Sequence, residues 1–214
     1  MKEILLYSGG MDSYIAWHYL RKPKTLFANL GHRYRFKEFE AVIKTIPKTK
    51  IMEMSTIGKY EEDDANIPLR NLYLSMLAVN EGASKVWMIV QKDEMSIPDR
   101  SHEFFSSSSK LLTFLAEREV KVSSPFCHMD KTEMVGWFVK NINDVKGLLS
   151  TVGCFSSEEG HCGNCGSCFR RYVALMNNNI HPGYELQEEI KIYYLNRLHK
   201  YPIERQDRMR QWLI

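Results

Sequence analysis

No stretch of this 214-residue chain approaches the apolar length of a membrane-spanning helix, and its first residues read as a strand rather than a signal peptide. A cytoplasmic protein without a membrane partner is expected. Charge of one sign is scarce: 29 basic and 26 acidic residues leave a net charge of +3, too mild to mark a nucleic-acid surface. Internal repeats and low-complexity linkers are missing. The five cysteines are an odd number, and four of them crowd into one stretch, which excludes a dispersed disulfide framework. Two common nucleotide signatures are also absent. No lysine follows the first glycines as a Walker loop requires, and Gly-x-Gly-x-x-Gly does not occur.

What is present suits a folded α/β chain, with 44% hydrophobic and 26% charged residues. The stretch that organises it is Ser8-Gly9-Gly10-Met11-Asp12-Ser13. It follows the apolar run Ile4-Leu5-Leu6-Tyr7, a buried-strand pattern, and precedes a helical pattern over 12–20 that Asp12 or Ser13 can cap. Glycines at a strand-to-helix turn let backbone N–H groups approach an anion, and the helix N-terminus adds partial positive charge. Ser8 and Ser13 add hydroxyls. The stretch reads as a phosphate or pyrophosphate cradle, against the plainer reading of an ordinary turn.

Further strands are expected at 26–30, 50–54, 85–90 and 119–122. Helices are expected at 36–46, 72–81, 101–115, 134–141 and from Phe169 to about residue 176. Alternation of this kind predicts a Rossmann-like, five-stranded parallel sheet with helices on both faces. Ligands of such sheets bind at the carboxyl ends of strands, where the Gly9-Gly10 turn, Gly31-His32-Arg33 and the polar loop 91–100 fall. The acidic run Glu61-Glu62-Asp63-Asp64 reads as solvated loop and Ser106–Ser109 as helix surface. Phe36, Phe39, Val42, Ile43 and Ile46 form the apolar stripe expected of the second helix. After residue 184, Leu186, Ile190, Tyr193, Leu195, Leu198 and Trp212 suggest helices packed on the domain or on a second subunit, with no chemistry of their own.

Cys154, Cys162, Cys165 and Cys168 follow Cys-x7-Cys-x2-Cys-x2-Cys. Two-residue gaps turn successive thiolates toward one ion, with Gly163 and Gly166 supplying tight turns. Four thiolates close a tetrahedral zinc site of the structural kind, and an iron–sulfur cluster is the rival. His161 is read as a loop histidine rather than a replacement ligand. Cys127, next to His128, is read as a buried, inert thiol rather than a nucleophile. Arg170 and Arg171, beside the metal loop, can hold phosphate or carboxylate, or pair with surface acids.

Ser-Gly-Gly-x-Asp-Ser after a first strand resembles the signature of the PP-loop ATP pyrophosphatases, whose fold is of the adenine nucleotide alpha hydrolase kind. With the cysteine loop, the chain from Glu3 to about residue 175 resembles the 7-cyano-7-deazaguanine (preQ0) synthases of queuosine-precursor biosynthesis. Ile67-Pro68-x-Arg70-Asn71 is similar to that family's Val-Pro-Gly-Arg-Asn, and Ile97-Pro98-Asp99-Arg100 to its Tyr-Pro-Asp-Cys-Arg. Lys131 looks like a family lysine at a helix start. His161-Cys162-Gly163-Asn164-Cys165-Gly166-Ser167-Cys168 resembles its Pro-Cys-Gly-x-Cys-x-x-Cys. Three departures stand out. Leu69 replaces a glycine, no cysteine separates Asp99 from Arg100, and Leu30-Gly31-His32-Arg33-Tyr34 replaces Tyr-Gly-Gln-Arg-His.

The resemblance implies an ATP-dependent ligase that adenylates 7-carboxy-7-deazaguanine, uses ammonia to form an amide, and activates the amide with a second ATP to leave a nitrile. It implies Mg²⁺ with ATP, structural zinc on Cys154, Cys162, Cys165 and Cys168, and a homodimer. ATP is expected on Tyr7, Ser8, Gly9, Gly10, Met11, Asp12 and Ser13, with Asp12 positioning Mg²⁺ or the loop. Asp12, Lys131 and Arg70 are the expected catalytic residues, and Arg70, Asn71 and Asp99 the expected substrate contacts. Residues 1–145 are expected to form the nucleotide-binding domain and 146–214 a zinc-binding helical region. Two other readings stay open: a PP-loop enzyme acting on a different acceptor, such as a deazaguanine-related group or a tRNA base, and a catalytically silent, zinc-stabilised nucleotide-binding module.

Overall fold

Ile4 and Leu5 are adjacent and both buried, yet they belong to different cores. Successive strand residues point to opposite faces, so a strand buried on both sides must be apolar throughout. That strand, β1 (Glu3–Leu6), is the centre of the sheet in the computed structural model, which describes residues 2–213. β2 (Lys24–Asn29), β3 (Lys50–Glu53), β4 (Lys85–Trp87) and β5 (Lys121–Ser123) complete it. All pairings are parallel and the order is β3-β2-β1-β4-β5. The chain order reverses between β1 and β4, which opens a crevice beyond their carboxyl ends.

On one face, α1 (Met11–Tyr19), α2 (Arg35–Thr45) and α5 (Lys131–Asn141) contribute Ile15, Val42 and Phe138 to the core that holds Leu5. On the other, α3 (Arg70–Asn80) and α4 (His102–Ala116) place Leu77 and Leu112 with Ile4. A short α6 (Val145–Leu149) leads to the cysteine loop and α7 (Gly166–Met176). α8 (Glu188–Leu195) and α9 (Ile203–Arg210) then build a third core with Phe169, Ile190 and Met209. No helix among the described residues is long and apolar enough to cross a membrane.

Several local expectations shift. β4 ends at Trp87, because the hydroxyl of Ser124 takes over pairing with the Val90 amide and carbonyl. β5 begins at Lys121, since Val120 pairs instead with the Thr113 hydroxyl. Gly10, not Asp12 or Ser13, caps α1; Ser13 donates to the Gly10 carbonyl and Asp12 turns outward to other partners. α3 starts at Arg70, preceded by Leu69 with φ of +61°. This left-handed conformation accounts for a glycine at that place in the resembled motif.

On α2, Val42 and Ile46 are buried but Phe36 and Ile43 face outward, with the Arg35 guanidinium 4.2 Å over the Phe36 ring. Tyr193 and Leu195 of α8 are likewise exposed, and Tyr194 is the aromatic that packs. The serine run on α4 is more than surface. Ser108 is buried, and the Ser109 hydroxyl accepts from the Val122 amide, tying the helix to β5. The acidic run is not uniformly solvated, because Glu61 accepts from the Arg33 amide and pairs with its guanidinium.

Candidate functional site

Gly9 and Gly10 turn the chain out of β1 into α1. Gly9 has φ of +71°, and a Cβ there would sit 2.8 Å from the Glu38 carbonyl oxygen, so only glycine fits. The Ser8 hydroxyl accepts from the Gly10 amide and lies 3.4 Å from that of Ser13. On its outer side the turn is held from far along the chain: Gly10 forms a parallel bridge with Val152, whose amide donates to the Gly9 carbonyl. Below it, the Tyr7 hydroxyl meets Thr45 at 2.5 Å, and burial pushes that phenol above the usual tyrosine range.

Beyond this turn lies a cavity of about 300 Å³, within the range of small-ligand sites. Tyr7, Ser8, Gly10, Met11, Asp12, Ser13, Arg70, Asn71 and Lys131 line it. Gly9 stands behind the turn, and Asp99 is not among the lining residues; its carboxylate accepts from Asn71 Nδ2 at 2.8 Å and thereby fixes that amide. Arg70 has no side-chain ion pair among the described residues. Arg100, Arg170 and Arg171 add to Arg70 and Lys131 on the wall, against the carboxylates Asp12, Glu38 and Glu94. Excess cationic groups around a glycine turn and a helix N-terminus favour an anionic ligand.

Asp12 is the hub. Its Oδ2 accepts from Lys131 Nζ at 2.5 Å and from Gln91 Nε2 at 2.7 Å. Its Oδ1 is buried with no partner. A buried carboxylate oxygen without a donor is costly unless something binds it, and a hard cation such as Mg²⁺ suits an oxygen ligand of this kind. Lys131 reaches Asp12 from the first turn of α5, whose capping box pairs Asp130 with the Glu133 amide and Glu133 with the Asp130 amide.

Four contributors carry no individual role in the sequence reading, where His32 stands only within Gly31-His32-Arg33, Gln91 and Glu94 only within the polar loop 91–100, and Glu38 is not named. Gln91 sits in the loop after β4, fully folded against Asp12. His32 and Glu38 form a pair at 3.0 Å; His32 is 4% exposed and lies against Tyr34. With Nε2 turned to the carboxylate, the remaining Nδ1 is buried without a partner among the described residues. Glu94 pairs with Arg100 at 2.5 Å across the same loop. A polar stretch at a strand's carboxyl end was the available signal for Gln91 and Glu94; Glu38 carried none. Arg171 pairs with no surface acid. It is 2% exposed and donates to the Thr151 hydroxyl at 2.7 Å and the Leu148 carbonyl at 3.1 Å.

The four cysteines form a second centre. Their sulfur atoms all lie within 4.8 Å of one another, with Cys162 and Cys168 4.0 Å apart. A Zn–S distance of about 2.3 Å puts sulfurs about 3.8 Å apart, so the cluster fits a tetrahedral ion. The Cys162, Asn164 and Cys168 amides donate to the sulfurs of Cys154, Cys162 and Cys165, which stabilises thiolates. Hydrogen bonds from Cys165 and Cys168 hold the Cys154 thiol below its usual range, while hydrogen bonds with Cys154 and Cys165 push Cys168 up. Gly163 has φ of +66° and its missing Cβ leaves room for the Glu185 carbonyl. Gly166 makes no such turn; it opens α7, with Cys165 as the cap. His161 stands outside the cluster, stacked on Tyr184, and burial lowers it to about 4. Cys127 lies in the α3–α4 core, away from the cavity, and burial raises its thiol, the opposite of activation.

Comparisons with known proteins point to one family. The family model described as queuosine biosynthesis protein QueC matches residues 41–179. That span holds Arg70, Lys131 and all four clustered cysteines, and excludes the Ser8–Ser13 turn. The 7-cyano-7-deazaguanine synthase 1 of Colwellia psychrerythraea is 29% identical over 211 residues, covering 83% of this chain and 95% of that protein. The 7-cyano-7-deazaguanine synthase of Marinobacter nauticus is 28% identical over 210 residues, covering 83% and 93%. That of Methanococcus vannielii is 24% identical over 225 residues, covering 84% and 96%.

Proposed function

Because the chain belongs to the QueC family, we propose that it converts 7-carboxy-7-deazaguanine and ammonia to 7-cyano-7-deazaguanine at the expense of ATP. The carboxylate takes AMP from a first ATP and releases pyrophosphate. Ammonia displaces AMP to give the amide. A second ATP adenylates the amide oxygen, and loss of AMP leaves the nitrile. Such steps need charge held and groups aligned more than they need a protein nucleophile. Residues 1–145 are the nucleotide-binding part in this reading and 146–214 the zinc-bearing part.

One observation carries the assignment: Asp12 and Lys131 meet beside the glycine turn, at the crevice where the strand order reverses, with one carboxylate oxygen left unpaired. In the proposed site, the amides of Gly9 to Ser13 and the Ser8 and Ser13 hydroxyls hold the pyrophosphate of ATP. Asp12 Oδ1 would hold Mg²⁺, which would neutralise phosphate charge when bound. Lys131 and Arg70 balance the charge that develops as pyrophosphate leaves. Asn71, oriented by Asp99, contacts the acceptor, and Cys154, Cys162, Cys165 and Cys168 hold structural zinc.

The test is incubation of purified protein with ATP, Mg²⁺, ammonium and 7-carboxy-7-deazaguanine, with products read by mass spectrometry. The nitrile together with AMP is expected. AMP without nitrile would move the assignment to another acceptor, a reading favoured by His32, paired with Glu38, standing where the resembled motif has glutamine. ATP binding with no AMP would leave a nucleotide-binding module.

A further inference from the structure

The C-terminal helix α9 lies outside the span matched by the family model and carries no recognisable motif. Its contacts are nevertheless specific. Arg205 Nη1 pairs with Asp93 at 2.5 Å, and both side chains are about four-fifths buried. Asp93 is two residues beyond Gln91, in the short 3₁₀ turn Lys92–Glu94. One helical turn further on, Arg208 pairs with Asp130, the cap of α5, and its other nitrogen lies 3.7 Å from Glu133. Lys131 follows directly. The two loops also touch each other, through the Lys92 amide and the Met129 carbonyl.

Gln91 and Lys131 are the two side chains that hold Asp12 Oδ2. Each therefore stands within two residues of an acid gripped by α9. The helix is itself fixed: Met209 is buried against α7 residues, and Asn177 donates to the Arg208 carbonyl. Arginines at positions i and i+3 share one helix face, and here that face meets both loops together. An arginine set this way is a rigid, bidentate-capable strut rather than a free surface charge.

We propose that α9 is a brace for the nucleotide site, with Arg205 and Arg208 acting as positioning residues that hold Gln91 and Lys131 on Asp12. Neither arginine touches the reacting groups. Their effect passes through the two loops, so it should appear in turnover and nucleotide affinity and vanish when Asp12 can no longer respond. This rests on Asp12 and Lys131 belonging to the ATP site.

The test uses the full-length, zinc-loaded protein with Arg205 and Arg208 both replaced by Met, which keeps the apolar stem and removes the charge. AMP formation at saturating ATP is expected to fall about tenfold, since sub-ångström misplacement of a reacting pair has effects of this order. Mg·ATP affinity measured by calorimetry should weaken several-fold, and Arg208→Lys should recover part of the loss. In an Asp12→Asn background the same double substitution should change ATP affinity less than twofold. Hydrogen exchange should rise in residues 91–95 and 130–134 together, and stay unchanged in the cysteine loop. Wild-type turnover in the double variant, an equal loss in the Asp12→Asn background, or unchanged exchange in both loops would each overturn the proposal. If the double variant does not fold, Arg208→Lys and the two single variants decide by the same readings. If the wild type binds ATP but makes no AMP, the proposed reaction fails, while the affinity and exchange measurements still judge the brace.

Discussion

The cysteine loop and the cavity at the head of the sheet are built in opposite ways. The cysteine loop draws its four sulfurs from fifteen consecutive residues, and three of its own amides orient them. The cavity draws on the turn after β1, the segment after β2, the start of α3, the loop after β4, the first residue of α5 and the chain around Val152. One centre is local and of a size that suits a single ion; the other is assembled and open. A local centre should fail as a unit and take its neighbourhood with it. An assembled centre should lose chemistry without losing its fold.

The largest expected effect breaks the local centre. Cys168→Ser, or zinc removal by a chelator, should release one zinc per chain and lower the melting temperature by more than about 10 °C. Structural zinc contributes on the order of 10 kcal/mol in small domains, and about 1 kcal/mol shifts a chain of this size by roughly 2–4 °C. Metal analysis and thermal denaturation check it, and a melting point unchanged after zinc loss would mean the loop is not a staple. Next, Asp12→Asn should lower AMP formation about 10²- to 10³-fold while moving the melting temperature far less than Cys168→Ser does. If both variants melt alike, the contrast between the centres is lost.

A smaller effect concerns acid. Burial among Tyr14, Trp17 and Phe138 lowers the His18 pKa on α1, so the folded state prefers the neutral ring. The unfolded chain then takes up the proton first. Stability from this group is complete above about pH 6.5 and declines as pH falls toward the lowered folded value. His18→Gln should flatten that part of the pH profile of stability, measured by urea denaturation in zinc-loaded protein. The smallest effect is at Leu69: replacing it with Gly relieves a left-handed conformation and should stabilise the chain by about 0.5–1 kcal/mol. Paired melts of the two proteins would show it, and a loss of stability would place the origin of that φ outside local backbone sterics.

The same contrast explains what could be read in the residues before any fold was known. Parallel strands, the glycine turn and the cysteine cluster each depend on neighbours within a few positions, so their patterns survive in one dimension. The QueC span could be anticipated because the cysteine loop and Arg70-Asn71 are short strings. Gln91 on Asp12 and the α9 arginines on Asp93 and Asp130 are long-range pairs between unlike segments, and Glu38 meets His32 across a loop-to-helix turn, so no periodicity links them. The exposed Phe36 and Ile43 misled for a related reason. An apolar stripe predicts burial only when a partner surface exists, and α2 meets the sheet through Ala41, Val42 and the Phe39 ring against Phe27, with Ile46 just beyond its end.

The parallel bridge between Gly10 and Val152 has a consequence for how the protein is made. The turn that reads as an anion cradle and the segment that holds its outer edge are far apart in the chain, so the segment around Val152 is synthesised long after the turn. Closing so long a loop is slow compared with forming the helices on either side of it. The nascent chain therefore carries an unfinished cradle until the segment around Val152 has emerged, and nucleotide capture would report that this long loop has closed.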